Sequence, residues 1–470
     1  MAGPVPRWAR RDARGACEHL EAGSDRFWRR FHPGQRTFDY LCRACAETGG
    51  GGGPEHEARA PETAPAPALA PAPAPALAPV TAELVEGLEG GAYWEGVIGF
   101  PEPDDTPDQL TVLRHQLDLR IDAVRAVVPV VEGDGERWIL ATDDALVELD
   151  TATGSARRIT GLADVLPEAL PGAEDEPESA WEAVFGTEAG DLVLAADRAG
   201  RYVAVAPAGG RYGVVVETAT GAVAMELDRG DYHEDVCRFP LAFAEVSGRT
   251  VLLHATDWNR MDCSDPATGA CLTERGTPEY SEESGPGAHY LDYFFCGLTV
   301  SPGGRRVVSD GWCWQPFGLL AIWDLDAWLH DNPWESEDGP SRRTVEFRPS
   351  VWDSPLVWLD DDRLAVWGME SSRDDMPRPG VRLYDVATGE ELDWFPAARA
   401  AFATDGTLLY ALGPGLTVYD TATGRRLLTA PALTTHARHP GTGRLLVVDE
   451  EGAVGLLEVA PGRGVGAGGD

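Results

Sequence analysis

The sequence contains no lysine; all 39 of its basic side chains are arginine. That excludes a P-loop lysine, a lysine Schiff base and the strand lysine of protein kinases. Asn occurs only at Asn259 and Asn332, and Ile five times, against 54 Gly and 36 Pro. Lys, Asn and Ile codons are AT-rich, so the bias points to a high-GC genome and we expect an actinobacterial source. No run of eighteen apolar residues exists, which excludes a membrane-spanning helix. The opening MAGPVPRWARRDARG carries charge but no apolar core and is not read as a secretory signal, so the expectation is a cytoplasmic protein. Motifs of the G-x-S-x-G, H-E-x-x-H and EF-hand kinds are missing. Gly464, Gly466 and Gly469 formally fit G-x-G-x-x-G, but the stretch is a terminal Gly-rich tail with no helix behind it. Basic groups are also scarce: against 77 acidic residues the net charge is −38. A surface that acidic repels phosphate backbones, so nucleic-acid binding by the bulk of the chain is not expected.

What is present falls into regions of distinct composition. Residues 1–48 hold nine Arg against six acidic residues, with Trp8, Phe27, Trp28, Phe31, Phe38 and Tyr40. Residues 49–80 open with a Gly run and continue as Pro/Ala alternation, which buries no core and reads as an extended linker reaching up to roughly 95 Å. Residues 81–460 carry most of the acid excess and nearly all of the β-patterned segments, and 461–470 form a flexible Gly-rich tail.

The third region repeats itself. ELDTATGSARRI (148–159), VVETATGAVAMEL (215–227), CSDPATGACLTER (263–275), LYDVATGEELDWF (383–395) and VYDTATGRRLLTA (418–430) each read strand, acidic residue, turn, Thr-Gly, strand. Asp150, Glu217, Asp265, Asp385 and Asp420 take the first slot, where a carboxylate accepts turn amides. Gly154, Gly221, Gly269, Gly389 and Gly424 take the last, where a bulged turn requires positive φ. Two more short strands precede each turn, and four strands per unit at uneven spacing predict propeller blades with loop insertions. We place blades near 123–160, 190–228, 237–275, 291–347, 355–395, 397–430 and 433–459. The fourth carries a helical excursion at AIWDLDAWLHDNPWESEDG, and the seventh lacks its outer strand, which LTVLRHQL (110–117) can supply.

On these residues the region resembles a seven-bladed β-propeller of the bacterial WD-repeat-like kind, related to quinoprotein-like propellers. HATDWNRMDCSDPATGACLTER, SPGGRRVVSDGWCWQPFGLLAIWDLDAWL and NPWESEDGP resemble an uncharacterised actinobacterial family of such propellers. Most blades lack the Gly-His and Trp-Asp pairs of strict WD repeats, Trp323-Asp324 being an exception. The fold class expected is all-β.

Cys17-x-His19 and, further on, Cys42-x-x-Cys45 form two knuckles suited to one tetrahedral, structural zinc, with His32 as a substitute ligand. The segments around His32-Pro33-Gly34-Gln35 read as a hairpin and its turn. A unit this short usually needs such a staple. Its opening resembles small zinc fingers of the ubiquitin-protease type, whose function is not carried over because the ligand set here is shorter. The other five Cys are expected to be free thiols, or Cys263 and Cys271 bridged across their hairpin in an oxidising compartment. His436 and His439 read as structural histidines, Asp143-Asp144 and Asp360-Asp361-Asp362 as turn residues, and Trp323, Trp358 and Trp367 as packing between blades.

Function is expected to lie in the loops joining second and third strands. Three consecutive blades carry unusual ones: Asp257-Trp258-Asn259-Arg260, Gly311 to Phe317 with Trp312, Trp314 and Gln315, and Glu370 to Gly380 with Arg373 and Arg378. The segment Asp231-Tyr232-His233-Glu234-Asp235 should open on the same face. Exposed Trp with Arg is the composition of interaction hot spots. We therefore expect a monomeric, non-enzymatic scaffold for a protein partner. A lyase or hydrolase with its site in the axial funnel is the competing reading, and a small-molecule sensor a third.

Overall fold

The structure, a computed structural model, describes residues 108–133, 135–166, 192–278, 280–281, 285–313, 317–349, 351–369 and 379–461. It also gives the backbone of the strands 13–16, 26–32, 37–41 and 83–86. The chain divides into two compact units, Met1–Val97 and Ile98–Asp470.

In the first unit one sheet has the order Ala13–Ala16, Thr37–Leu41, Arg26–His32, Glu83–Glu86. Its centre is the hairpin expected around Pro33-Gly34, with Trp28 opposite Leu41 and His32 opposite Thr37. Glu83–Glu86 lies beyond the Pro/Ala tract yet pairs antiparallel with Arg26–Arg29. Composition marks where the tract ends and carries no information on that pairing.

The second unit is a succession of antiparallel sheets whose strands pair in chain order. The first holds Val124–Val130, Arg137–Thr142, Ala145–Asp150 and Ser155–Gly161, the next Leu192–Ala196 through Val223–Asp228. Leu241–Val246, Arg249–Asp257 and Arg260–Ser264 make a three-stranded sheet, whose fourth position holds only the isolated bridge of Cys271 to Ser264. Four-stranded sheets follow from Leu298–Val300 to Arg343–Pro349 and from Leu356–Trp358 to Glu390–Pro396. The last sheet has six strands because Leu408–Asp420 runs unbroken through the second and third positions of one four-strand group, and Arg426–Arg438 passes from the outer position of that group into the inner position of the next. Its far edge is Leu110–Arg120, antiparallel to Ala453–Pro461, so the strand before the first sheet completes the last one.

The first strands of the sheets pack in a ring: 192–196 against both 124–130 and 241–246, 241–246 against 298–300, 356–358 against 401–404, and 426–438 back against 124–130. Wedges of apolar side chains fill the gaps between neighbouring sheets. Trp323 belongs to the wedge between the third and fourth sheets, Trp358 to the next, and Trp138 to the one joining the last sheet to the first. Trp138 and Trp323 are fully buried, as expected for aromatic rings that fill wedge-shaped space. A closed ring of radial antiparallel sheets is a β-propeller.

The Thr-Gly hairpins form as their chemistry requires. The five glycines have φ between 65° and 73°. Asp150, Asp265, Asp385 and Asp420 accept turn amides through their carboxylates, as in Ala152 N to Asp150 Oδ1 at 2.9 Å. Glu217 is one methylene longer and accepts the Thr220 hydroxyl at 2.7 Å instead. The helical excursion comprises Leu325–His330 and Glu335–Asp338, the first capped by Asp324, which accepts from Ala327 N. Its second helix packs on Arg260–Ser264, covering the edge that the three-stranded sheet leaves open.

Candidate functional site

Antiparallel strands reverse direction at every step. Turns between second and third strands therefore share one face of the ring with connectors that run from an outer strand to the next inner one. On that face the Trp258-Asn259 turn meets three connectors: 229–240, the stretch up to Gly297, and 351–355. Their side chains form one apolar cluster of Cys237, Phe294, Cys296 and Trp312, with Val236, Trp258 and Trp352 packed on it. Ring centroids of Trp258 and Phe294 lie 4.5 Å apart, Phe294 and Trp312 4.6 Å, and Trp312 and Trp352 5.9 Å. Tyr232 stacks on Phe294 at 5.9 Å and remains 46% exposed. With Arg229, His233 and Asp257, the rings of Tyr232, Trp258 and Phe294 line a small depression.

Polar links cross between connectors far apart in sequence. Trp352 Nε1 donates to Val236 O at 3.1 Å, and Arg238 N to Asp353 Oδ2 at 3.0 Å. Asn259 Nδ2 donates to Leu291 O at 2.8 Å. Arg229 points inward and donates to the carbonyls of Gly210, Cys237, Ala208 and Glu234. Burial pushes its pKa down to about 10, so it stays charged at neutral pH. Below the cluster, Asp310 pairs with Arg348 and accepts Ser354 N at 2.7 Å. Burial raises the Asp310 carboxyl against the pull of Arg348. For Arg348, burial is the largest influence and opposes charge, yet Asp310 and Glu346 outweigh it and hold the guanidinium protonated. Three of the five described non-glycine residues with positive φ, His233, His289 and Asp353, sit in these connectors. Such strain persists only where the surroundings over-determine it.

The expected interaction residues divide accordingly. Asp257, Trp258, Asn259 and Arg260 are all partly buried; Trp258 packs on the cluster and Asp257 lines the depression beside it. Trp258 lies over Phe294. Arg260 donates to Asp262 at 2.9 Å and to the carbonyls of Arg275 and Gly276. Trp312, expected in an exposed loop, is corrected: it ends the strand Arg306–Trp312, is 4% exposed, and is held by backbone bonds to Phe294. Trp314, Gln315, Arg373 and Arg378 lie outside the described residues, as do Cys17, His19, Cys42 and Cys45.

The expectation of five free thiols is corrected at two positions. Cys237 and Cys296 form a disulfide joining the first two connectors, 59 residues apart, whereas Cys263 and Cys271 are free thiols and the Cys313 Sγ donates to Asp292 O at 3.2 Å. Nothing in the spacing of the eight Cys singles this pair out. The propeller topology does, by setting successive connectors side by side. Phe294, Trp352 and Asp353 were missed for the same reason. The Asp231–Asp235 segment was found because its charges and aromatics stand between two strand patterns. Among the described residues no group of three or more His, Cys, Asp or Glu is arranged to hold a metal ion. No described helix is long and apolar enough to cross a membrane.

No protein-family model matches the chain, and no curated protein matches it. Among solved structures it is similar to the β-propeller domain of Cps50 (Swd1) from Myceliophteria thermophila. That similarity is 12% identity with a TM-score of 0.45, over 75% of this chain and 99% of that one.

Proposed function

We propose that this chain is a protein-interaction scaffold: a seven-bladed propeller whose recognition face is the cross-tied aromatic cluster. Seven blades follow if the six-stranded sheet is divided at Gly413 and Pro431 into two groups of four. The observation that carries the functional reading is Tyr232, left 46% exposed on a floor of buried rings that three connectors lock together. Rigid, partly exposed aromatics bind at little entropic cost. Asp257 and Trp258 belong to this face by position, and Trp314, Gln315, Arg373 and Arg378 are proposed to extend it. The proposed division is a zinc-stapled module over 1–48, a linker over 49–80, the propeller within 81–460 and a tail, in a cytoplasmic monomer, with Glu83–Glu86 assigned to the sheet of the first unit and not to the ring. One zinc held by Cys17, His19, Cys42 and Cys45 is checked by elemental analysis of the purified protein, where Cys42→Ser should lose the metal.

The test of the face itself is affinity capture with the full chain against a Tyr232→Ala/Asp235→Arg variant. A Leu392→Ala variant, changed at an exposed residue of a different sheet, serves as control. Loss of the captured proteins in the first variant alone, at unchanged melting temperature, supports the reading. Equal capture by all three overturns it.

A further inference from the structure

The Cys237–Cys296 disulfide lies in the floor of the aromatic cluster. Cys237 is 2% exposed and Cys296 fully buried, and Phe294 and Trp312 close around them. The connector that carries Tyr232 and His233 is the one that this bond fastens. Its upstream anchor is Arg229, which donates to Cys237 O at 2.8 Å and to Glu234 O. Downstream, Val236 O accepts from Trp352 and Arg238 N donates to Asp353. Each of these ties engages a backbone group within three residues of Cys237, while the Arg211–Asp231 ion pair at 3.6 Å lies farther upstream on the connector.

We propose that this disulfide is a redox switch for the recognition face. Two thiols cannot occupy the space of one sulfur–sulfur bond; they must part to van der Waals separation. Close-packed rings around them leave no slack for that. The parting is therefore taken up by the connector, and Tyr232, His233 and Trp258 lose their common floor. The reductant is a dithiol. One of its thiolates attacks a cysteine sulfur, forming a mixed disulfide and releasing the other cysteine as thiolate, which takes up a proton. The second thiol of the reductant then displaces the remaining cysteine, so Cys237 and Cys296 end as thiols and the reductant as its own disulfide. Apolar burial disfavours the released thiolate, so reduction is slow in the closed state and proceeds through opening of the connector.

The conformational switch stands on the disulfide alone, and its effect on binding rests on the interaction reading above. The experiment therefore reads conformation. Full-length protein is alkylated before and after dithiothreitol, and amide hydrogen exchange is followed in both states. Reduction should add two alkylated thiols, mapped to Cys237 and Cys296. It should also raise exchange over 231–238 by about tenfold or more, with Val203–Val205 unchanged. The Cys237→Ser/Cys296→Ser variant should show the fast exchange in both conditions. Alkylation of both cysteines in the unreduced protein, or reduction that leaves exchange at 231–238 unaltered, overturns the switch. Neither result bears on whether the oxidised face binds a partner.

Discussion

Buried charge at single residues decides how much of this molecule tolerates change. Arg275 is almost fully buried and bonds Asp262, Glu337, Met261 O and Thr273 O, tying the three-stranded sheet to the helical excursion. Removing one partner of a buried ion pair strands the others, so Arg275→Ala is expected to cost about 3–5 kcal/mol in denaturant unfolding. Arg260→Ala removes a less buried set of bonds and should cost about 2 kcal/mol, which makes it a poor probe of binding. His254 is buried, with Nε2 on Ser264 Oγ at 2.9 Å, and burial lowers its pKa. The unfolded chain therefore binds a proton at that position more readily than the folded one. By linkage, stability falls as pH drops below the unfolded value of about 6.5. His436 shifts in the same direction for the same reason. His254→Gln should flatten the decline in melting temperature between pH 7.5 and 5.5, and an unchanged slope would assign the decline to other groups.

The Thr-Gly hairpins were the most legible feature at the level of elements, because turn chemistry is local. An acidic side chain, a Thr and a positive-φ Gly within five residues specify the turn without knowledge of what surrounds it. What surrounds it still matters. A Cβ at Gly221 would lie 2.4 Å from Ile159 O on the neighbouring sheet, whereas one at Gly154 meets nothing within 4 Å. Both substitutions to Ala pay for φ near 70°, but only Gly221→Ala also forces the sheets apart. It should be the more destabilising by at least about 1 kcal/mol in thermal melts. The exposure of Trp312 was illegible, because a Trp among Gly, Cys and Gln reads as a loop residue. Whether it plugs a gap depends on Phe294 and Trp352, which come from other connectors. The disulfide shows the same limit: local pattern reveals turns and strands, while contacts across 59 residues follow only once the ring is closed.

For the whole molecule, closure was readable from a deficit, since the last blade pattern lacked an outer strand and LTVLRHQL stood unassigned before the first. Leu110–Arg120 fills that place. Deleting residues 1–107 should leave the melting transition of the second unit nearly unchanged, whereas deleting 1–120 exposes the edge of Ala453–Pro461 and should cause aggregation. Identical behaviour of the two truncations in light scattering would contradict the closure. The face that this closed ring presents is the central claim. It is tested most directly by hydrogen-exchange footprinting of the oxidised full-length protein in complex with a captured partner. The account predicts protection at 229–238, 257–260 and 290–294, with the Thr-Gly hairpins at 150–154, 217–221 and 420–424 unaffected. Protection confined to those hairpins would place recognition on the other face and contradict it.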